Sequence, residues 1–248
     1  MIERLLPAAA SAHAASLDAV LRAVHVHMAV QAIAWGAIFV YCLIRFRRRT
    51  GHAASYDGAK PLLPVVAIAL VIVADAALLA ASALPAWISR TASPPATAEP
   101  VEVRVVAEQF AWNVQYPGPD RTFGRTSAAL ISASNPLGID RTDPAARDDV
   151  GLINSLMLPV GHPVIVQLTA RDVIHSFTLN EMRVKQDVTP GLVVRTWFTP
   201  TTIGKWEIAC SQLCGLGHYR MRGDYAVMAE DEWNRWLASE VALIAPKR

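Results

Sequence analysis

Two long apolar runs open the chain, and an alternating pattern replaces them after residue 100. Val24 to Ile44 (VHVHMAVQAIAWGAIFVYCLI) contains no Asp, Glu, Lys or Arg. Leu62 to Ile88 contains only Asp75 of those types. Each run reaches the roughly 20 residues that a helix needs to cross a bilayer, so the pattern predicts two membrane helices. A cleaved secretory leader describes the first run less well. The N-terminus is weakly charged, and the run starts late and is too long for a leader's apolar core. A cut near Ala14 or Ala15 is compatible with the sequence.

The link between the runs carries Arg45, Arg47, Arg48, Arg49 and Lys60 against Asp57 alone. Short basic loops stay in the cytoplasm. The N-terminus and everything after Ile88 are therefore expected outside, in the periplasm of a bacterium, with the chain in its inner membrane. Thr91 to Ala98 is rich in Pro and small polar residues, which favour an extended linker. Beyond it, Val101-Glu-Val-Arg-Val-Val alternates as a strand does. Val164 to Thr169, Leu192 to Phe198 and Lys205 to Ala209 are rich in β-branched and aromatic residues and read as further strands. Turn signals separate them at Pro117-Gly-Pro, Leu158-Pro-Val-Gly-His-Pro and Thr189-Pro-Gly. Ala229 to Leu243 reads as a closing helix, with Glu230 and Asp231 placed to favour its N-terminal dipole.

The predicted organisation is thus a membrane-anchored α+β protein. Residues 1–90 form an N-terminal segment and a two-helix hairpin, 91–100 a linker, and 101–248 a β-sandwich or Greek-key barrel with a C-terminal helix. Composition agrees with this division. The chain is 53% apolar with mean hydropathy +0.29, between soluble and all-membrane values. Residues 91–248 hold 15 Lys/Arg and 17 Asp/Glu. That near-neutral domain has no basic footprint for nucleic acid and little net charge to steer a protein partner.

The chemistry concentrates in Cys210-Ser-Gln-Leu-Cys214-Gly-Leu-Gly-His218-Tyr-Arg-Met221. Two thiolates, an imidazole and a thioether fall in one short segment, and a loop folded on itself can aim all four inward. Thiolate, thioether and imidazole together favour copper. Zinc prefers four Cys/His ligands and has little use for a thioether. A single-copper electron-transfer site needs only one Cys, so two Cys suggest two coppers sharing two sulfurs. The competing readings are a Cys210–Cys214 disulfide, a surface His218 and a core-filling Met221.

This segment resembles the dinuclear copper (CuA) loop of subunit II of the haem-copper cytochrome c oxidases, whose pattern is Cys-x-x-x-Cys-x-x-x-His-x-x-Met. Arg171-Asp-Val-Ile-His175-Ser-Phe177, Val184-Lys185-Gln-Asp187-Val-Thr-Pro190-Gly191 and Arg195-Thr-Trp-Phe are also similar to strings of that family. The resemblance covers most of the chain and implies a cupredoxin-type fold. It further implies His175 as the upstream copper ligand beside Cys210, Cys214, His218 and Met221, with Gln212 contributing its backbone carbonyl. The family usually has Glu at position 212, and that carboxylate helps hold a magnesium or manganese ion. Gln212 has none, which puts the second metal in doubt. The family's residue that receives electrons from the donor corresponds to Phe110, and Trp112 to the next aromatic position. Trp112 also suits a sandwich core. Many members carry a Glu near a proton channel shortly before the second helix, and Asp57 lies at about that distance.

Asp75 stands out independently of the resemblance. A carboxyl inside a membrane span is costly, and it marks either a functional site such as a proton path or a hydrogen bond to a partner's helix. His162 lies in a turn without soft neighbours. His13, His25, His27 and His52 lie at helix ends or in polar flanks, and Cys42 sits in the first membrane helix. None of these reads as a metal ligand.

The function implied is electron uptake from cytochrome c at a dinuclear copper centre. Electrons then pass to the haem of subunit I for oxygen reduction coupled to proton translocation. The expected partners are haem-bearing subunit I, other oxidase subunits, cytochrome c and membrane lipid. No haem-attachment Cys-x-x-Cys-His occurs in the chain, so no cytochrome domain is expected. The alternatives are a CuA subunit of a nitric oxide reductase and a copper-binding or delivery module. A quinol oxidase subunit would keep the fold but lack the ligand set.

Overall fold

The computed structural model describes residues 6–51, 53, 58, 62–94 and 98–244. They form two units: residues 16–91, and a β domain of residues 92–244 joined by residues 6–15.

In the first unit, α1 spans Ala14–Arg45 and α2 spans Leu62–Leu78. A π-helical stretch at Leu79–Ala83 leads into α3, Leu84–Thr91. Both helical runs are long and apolar enough to cross a membrane. Val30, Ile33, Phe39, Leu63, Leu70 and Val73, among others, turn their side chains outward. A helix apolar on its outer face suits lipid or other membrane helices, because water would penalise that surface.

The β domain holds ten strands: β1 Val101–Glu108, β2 Ala111–Tyr116, β3 Val150–Ile153, β4 Ser155–Pro159, β5 Val164–Ala170, β6 His175–Leu179, β7 Val184–Val188, β8 Val194–Phe198, β9 Gly204–Cys210 and β10 Arg222–Met228. They form two five-stranded sheets of order β3-β2-β1-β5-β8 and β4-β10-β9-β6-β7. The expected sandwich is therefore what forms. Alternation explains it: Val103, Val105 and Ala107 of β1 and Val164, Val166, Leu168 and Ala170 of β5 point into one shared core. Trp112, Tyr116, Phe177, Phe198 and Tyr225 fill its volume. Truncating a buried aromatic of this kind to Ala costs about 3–5 kcal/mol. The closing helix α4, Glu230–Ile244, begins with three acids, Glu230, Asp231 and Glu232, which complement the exposed N–H groups of its first turn.

A short N-terminal segment belongs to this domain. Ala10 N–H donates to Glu181 O at 2.9 Å, Ala12 N–H to Thr199 O at 3.0 Å, and Thr201 N–H to Ala10 O at 2.8 Å. Ser11 Oγ donates to Met182 O at 2.8 Å. Ala10 and Ala14 are fully buried. Small side chains let this backbone lie flat on the sheet's end. A cut at Ala14 or Ala15 would remove the segment.

The β6–β9 pairing matters most for the site. Phe177 sits opposite Cys210, and His175 sits opposite Val188 on β7. The start of β6 and the end of β9 therefore lie side by side, at the edge where the Cys-rich loop emerges.

Candidate metal centre

The loop from Cys210 to Arg222 joins β9 to β10 and turns back through a 3-10 turn at His218–Arg220. Its own hydrogen bonds close it: His218 N–H donates to Gly215 O and Met221 N–H to His218 O, both at 3.1 Å. Neighbouring elements fix it from outside. Ser211 N–H donates to Ser176 O at 3.1 Å, and Thr178 Oγ1 donates to Ser211 Oγ at 2.8 Å. Gln109, between β1 and β2, donates its side-chain amide to Cys214 O at 2.7 Å. Gly215 holds φ +131°, in the region that favours glycine, and a Cβ at Gly217 would lie 2.4 Å from the Phe110 ring.

Within this frame the side chains converge. Cys210 Sγ and Cys214 Sγ lie 3.8 Å apart, well beyond the roughly 2.05 Å of a disulfide bond, and both thiols are free. Cys214 Sγ is 3.6 Å from His218 Nδ1 and 3.6 Å from Met221 Sδ. Cys210 Sγ is 3.2 Å from the backbone oxygen of Gln212, whose side chain is exposed. The ligand atoms of His175, Cys210 and Cys214 lie within 4.8 Å of one another. All six residues selected from the sequence as ligands thus meet at one end of the sandwich.

His175 supplies the most telling detail. Its ring is fully buried. Nε2 is hydrogen bonded to Asp172 Oδ1 at 2.9 Å, while Nδ1 is buried without a partner. A buried polar atom left unpaired is costly. An imidazole held by a carboxylate through one nitrogen, with the other free and close to two thiols, is the usual preparation of a metal ligand. Asp172 is fixed in turn: Gln109 N–H donates to its Oδ2 and Val173 N–H to its Oδ1, both at 2.7 Å. Burial opposes its charge, but the bonds from His175, Gln109 and Val173 hold its carboxyl below the usual range. Burial and the neighbouring Cys210 push the Cys214 thiol up to about 11. A bound cation would reverse that cost for Cys214.

These observations test the chemistry of the donor set. Two thiols, two imidazoles, a thioether and a carbonyl fit a soft metal such as copper. A carboxylate-rich site for a hard divalent ion would look different.

The remaining sequence-selected residues divide. Phe110 is half-buried against Gly215 and Gly217, with the Arg220 guanidinium 5.8 Å from its ring centre. Trp112 is fully buried; it meets the His175 ring edge-on at 6.2 Å and Phe177 at 5.4 Å. Asp75 does not join the loop cluster; it contacts His27 and Gln31 in the helical unit. Asp57 lies outside the described residues. His162 sits near Glu99 O and Glu230. Sequence reasoning missed Gln109 and Asp172 as supports of the site, and His27 as the partner of Asp75. Asp172 had one usable signal, its place three residues before His175.

Comparison with known proteins places these features in a family. The family model described as cytochrome c oxidase subunit II, periplasmic domain, matches residues 101–224. The "Alternative cytochrome c oxidase subunit 2" of Bradyrhizobium diazoefficiens is 36% identical over 201 residues, covering 81% of this chain and 71% of that protein. The "Cytochrome c oxidase subunit 2" of Cereibacter sphaeroides is 29% identical over 213 residues, covering 81% and 68%. A solved structure of the periplasmic domain of subunit II of cytochrome oxidase from Bradyrhizobium japonicum is 23% identical and covers 58% of this chain and 96% of that one, with a TM-score of 0.45.

Proposed function

The chain belongs to the cytochrome c oxidase subunit II family, and on that premise we propose that it is the electron-accepting subunit of a bacterial terminal oxidase. Electrons from a periplasmic cytochrome c arrive at the end of the β domain that carries the Cys-rich loop. They leave to a haem in the partner subunit, where oxygen is reduced and protons are translocated. The helical unit anchors the chain in the inner membrane with the basic link 45–60 in the cytoplasm. The observation that carries this reading is the meeting of Cys214 with Cys210, His218 and Met221, with both thiols close to His175, whose buried Nδ1 has no partner.

Cys210, Cys214, His175, His218, Met221 and the Gln212 carbonyl would hold two copper ions. Such a pair would supply one-electron chemistry. The protein's part is to keep its donors where they stand in either oxidation state. Gln109 ties the Cys214 carbonyl, through 2.7 Å contacts, to the same segment that anchors Asp172. Asp172 holds the His175 ring in one orientation. Phe110 covers the glycines of the loop at the surface, so an incoming electron carrier meets an aromatic ring beside the ligands. Trp112 is sealed in the core and supports His175 from behind. Gln212 offers no carboxylate, so the donor set here assigns no second, hard metal.

The test is turnover of the intact complex. A Cys210→Ser oxidase should lose turnover with reduced cytochrome c by more than about 100-fold, the upper end of what losing a ligand's supporting partner costs. Haems reduced chemically in the same preparation should still react with oxygen at the wild-type rate. Full-rate haem reduction by cytochrome c in the Cys210→Ser complex would overturn the proposal.

A further inference from the structure

The segment between β5 and β6, Arg171 to Ile174, carries Asp172, the carboxylate on His175 Nε2. It belongs to no strand, so no ladder fixes it, and side chains must. Arg171 supplies two bonds from one group. Its guanidinium donates through one terminal nitrogen to Glu108 Oε2 and through the other to Pro136 O. Its backbone N–H donates to Ala107 O at 2.9 Å. Both side-chain acceptors are themselves held. The other oxygen of Glu108 accepts from Nδ2 of the fully buried Asn113 at 2.8 Å. Pro136 lies in a turn closed by Asn135, whose Oδ1 accepts from Ile139 N–H at 2.9 Å and whose Nδ2 donates to Ile139 O at 3.0 Å. The neighbouring Leu137 and Ile139 pack with Ala146 in a small core of their own, against Val106 of β1. The side chains of Arg171 and Glu108 are only 28% and 25% exposed, so salt screens this pair less than a surface one.

Two latches on this segment lie side by side. Arg171 reaches Glu108, and the next residue, Asp172, accepts from the N–H of Gln109, the residue after Glu108, at 2.7 Å. Two consecutive residues thus grip two consecutive residues at the end of β1. A guanidinium is a rigid planar fork that holds two acceptors at a fixed angle, which a flexible ammonium does not. Among the described residues, none of these Arg171 bonds goes to a member of the ligand set. We propose that Arg171 is a positioning residue of the metal centre. It fixes Asp172, Asp172 fixes the His175 ring, and through Pro136 the ligand's support is tied to the lobe of residues 117–149 between β2 and β3. The proposal rests on the reading of His175 as a metal ligand and adds what keeps that ligand in place. A latch that served only the fold would stabilise the domain without acting on the metal.

The experiment uses the full-length chain with Arg171→Ala, Arg171→Lys, Asp172→Ala, and Arg171→Ala combined with Asp172→Ala. The readouts are copper affinity, from competition against a chelator, and the reduction potential of the loaded centre. Arg171→Ala should lower the affinity about tenfold, the low end of the loss for outer partners of metal ligands. It should also move the potential, which a loss of fold stability alone leaves unchanged in molecules that stay loaded. Arg171→Lys keeps a charge beside Glu108, and so keeps the fold, but holds one acceptor instead of two. It should lose about threefold in affinity, and it decides the matter if Arg171→Ala does not fold. In the Asp172→Ala background, Arg171→Ala should cost less than about twofold more, because residues of one network are not additive. A full further tenfold loss in that background, or wild-type affinity and potential in the Arg171 variants, would overturn the proposal while leaving the metal centre standing. A wild-type chain that takes up no copper would overturn the reading of His175 as a ligand, and this proposal with it.

Discussion

The ligand loop and the helical hairpin each set a few polar groups among apolar neighbours, and they differ in how those groups are met. At the loop, one nitrogen of His175 is bound by Asp172, and the other is buried without a partner in a ring whose ligand atom lies within 4.8 Å of the ligand atoms of two cysteines. In the hairpin, one oxygen of Asp75 is bound by His27 and Gln31, in a side chain that is 55% exposed. Soft donors gathered beside a buried, unpaired nitrogen suit a metal ion. A carboxyl within a membrane span is costly unless protein or water meets it. One physical rule, that polar groups out of water find partners, thus assigns the two regions different tasks.

Three substitutions at the metal centre sharpen that contrast. The largest effect belongs to Cys214→Ser. Cys214 Sγ lies within 4 Å of Cys210 Sγ, His218 Nδ1 and Met221 Sδ, so its loss should abolish binding of the copper pair, measured as copper per chain after dialysis. Retention of two coppers would show that the sulfurs are not shared. Asp172→Asn comes next. The amide still accepts from a backbone N–H but orients the His175 ring less firmly. Copper affinity should fall about 10- to 100-fold, as for other partners of metal-bound histidines. Unchanged competition against a chelator would show that the His175 ring does not depend on Asp172. Gln212→Ala should have the smallest effect, with copper content kept and stability within about 0.5 kcal/mol of wild type, as for an exposed side chain. Loss of copper in that variant would mean that the amide side chain, rather than the backbone oxygen 3.2 Å from Cys210 Sγ, does the binding.

The residues differ in how openly the chain announces them. The membrane helices and strands β1, β5 and β9 were legible because each follows one simple pattern, a long apolar run or a branched and alternating one. β6 was not, because all five residues of His175-Ser-Phe-Thr-Leu179 are buried, three of them polar, and no alternation survives. Four of the ligands shared one short segment and could be grouped by spacing. His175 comes from another strand, and only its likeness to a known string pointed to it. The supports of the site were harder still. Gln109 bonds to the loop across 105 residues of sequence and to Asp172 across 63, and only the arrangement of loops at the sandwich's end brings them together. Ala10 to Ala14 read as a bland flank, because small residues give no pattern until a sheet edge closes over them. His27 and Asp75 lie 48 residues apart on two helices, and their meeting depends on how the helices are staggered, which neither run encodes alone.

The central claim is that the loop holds two coppers that share two sulfurs. Electron paramagnetic resonance of the full-length, copper-loaded chain, with metal content measured on the same sample, addresses it most directly. Two coppers per chain and a seven-line hyperfine pattern, from one unpaired electron spread over both nuclei, are the expected result. A four-line pattern with one copper per chain, or tight stoichiometric zinc with no copper uptake, would contradict it.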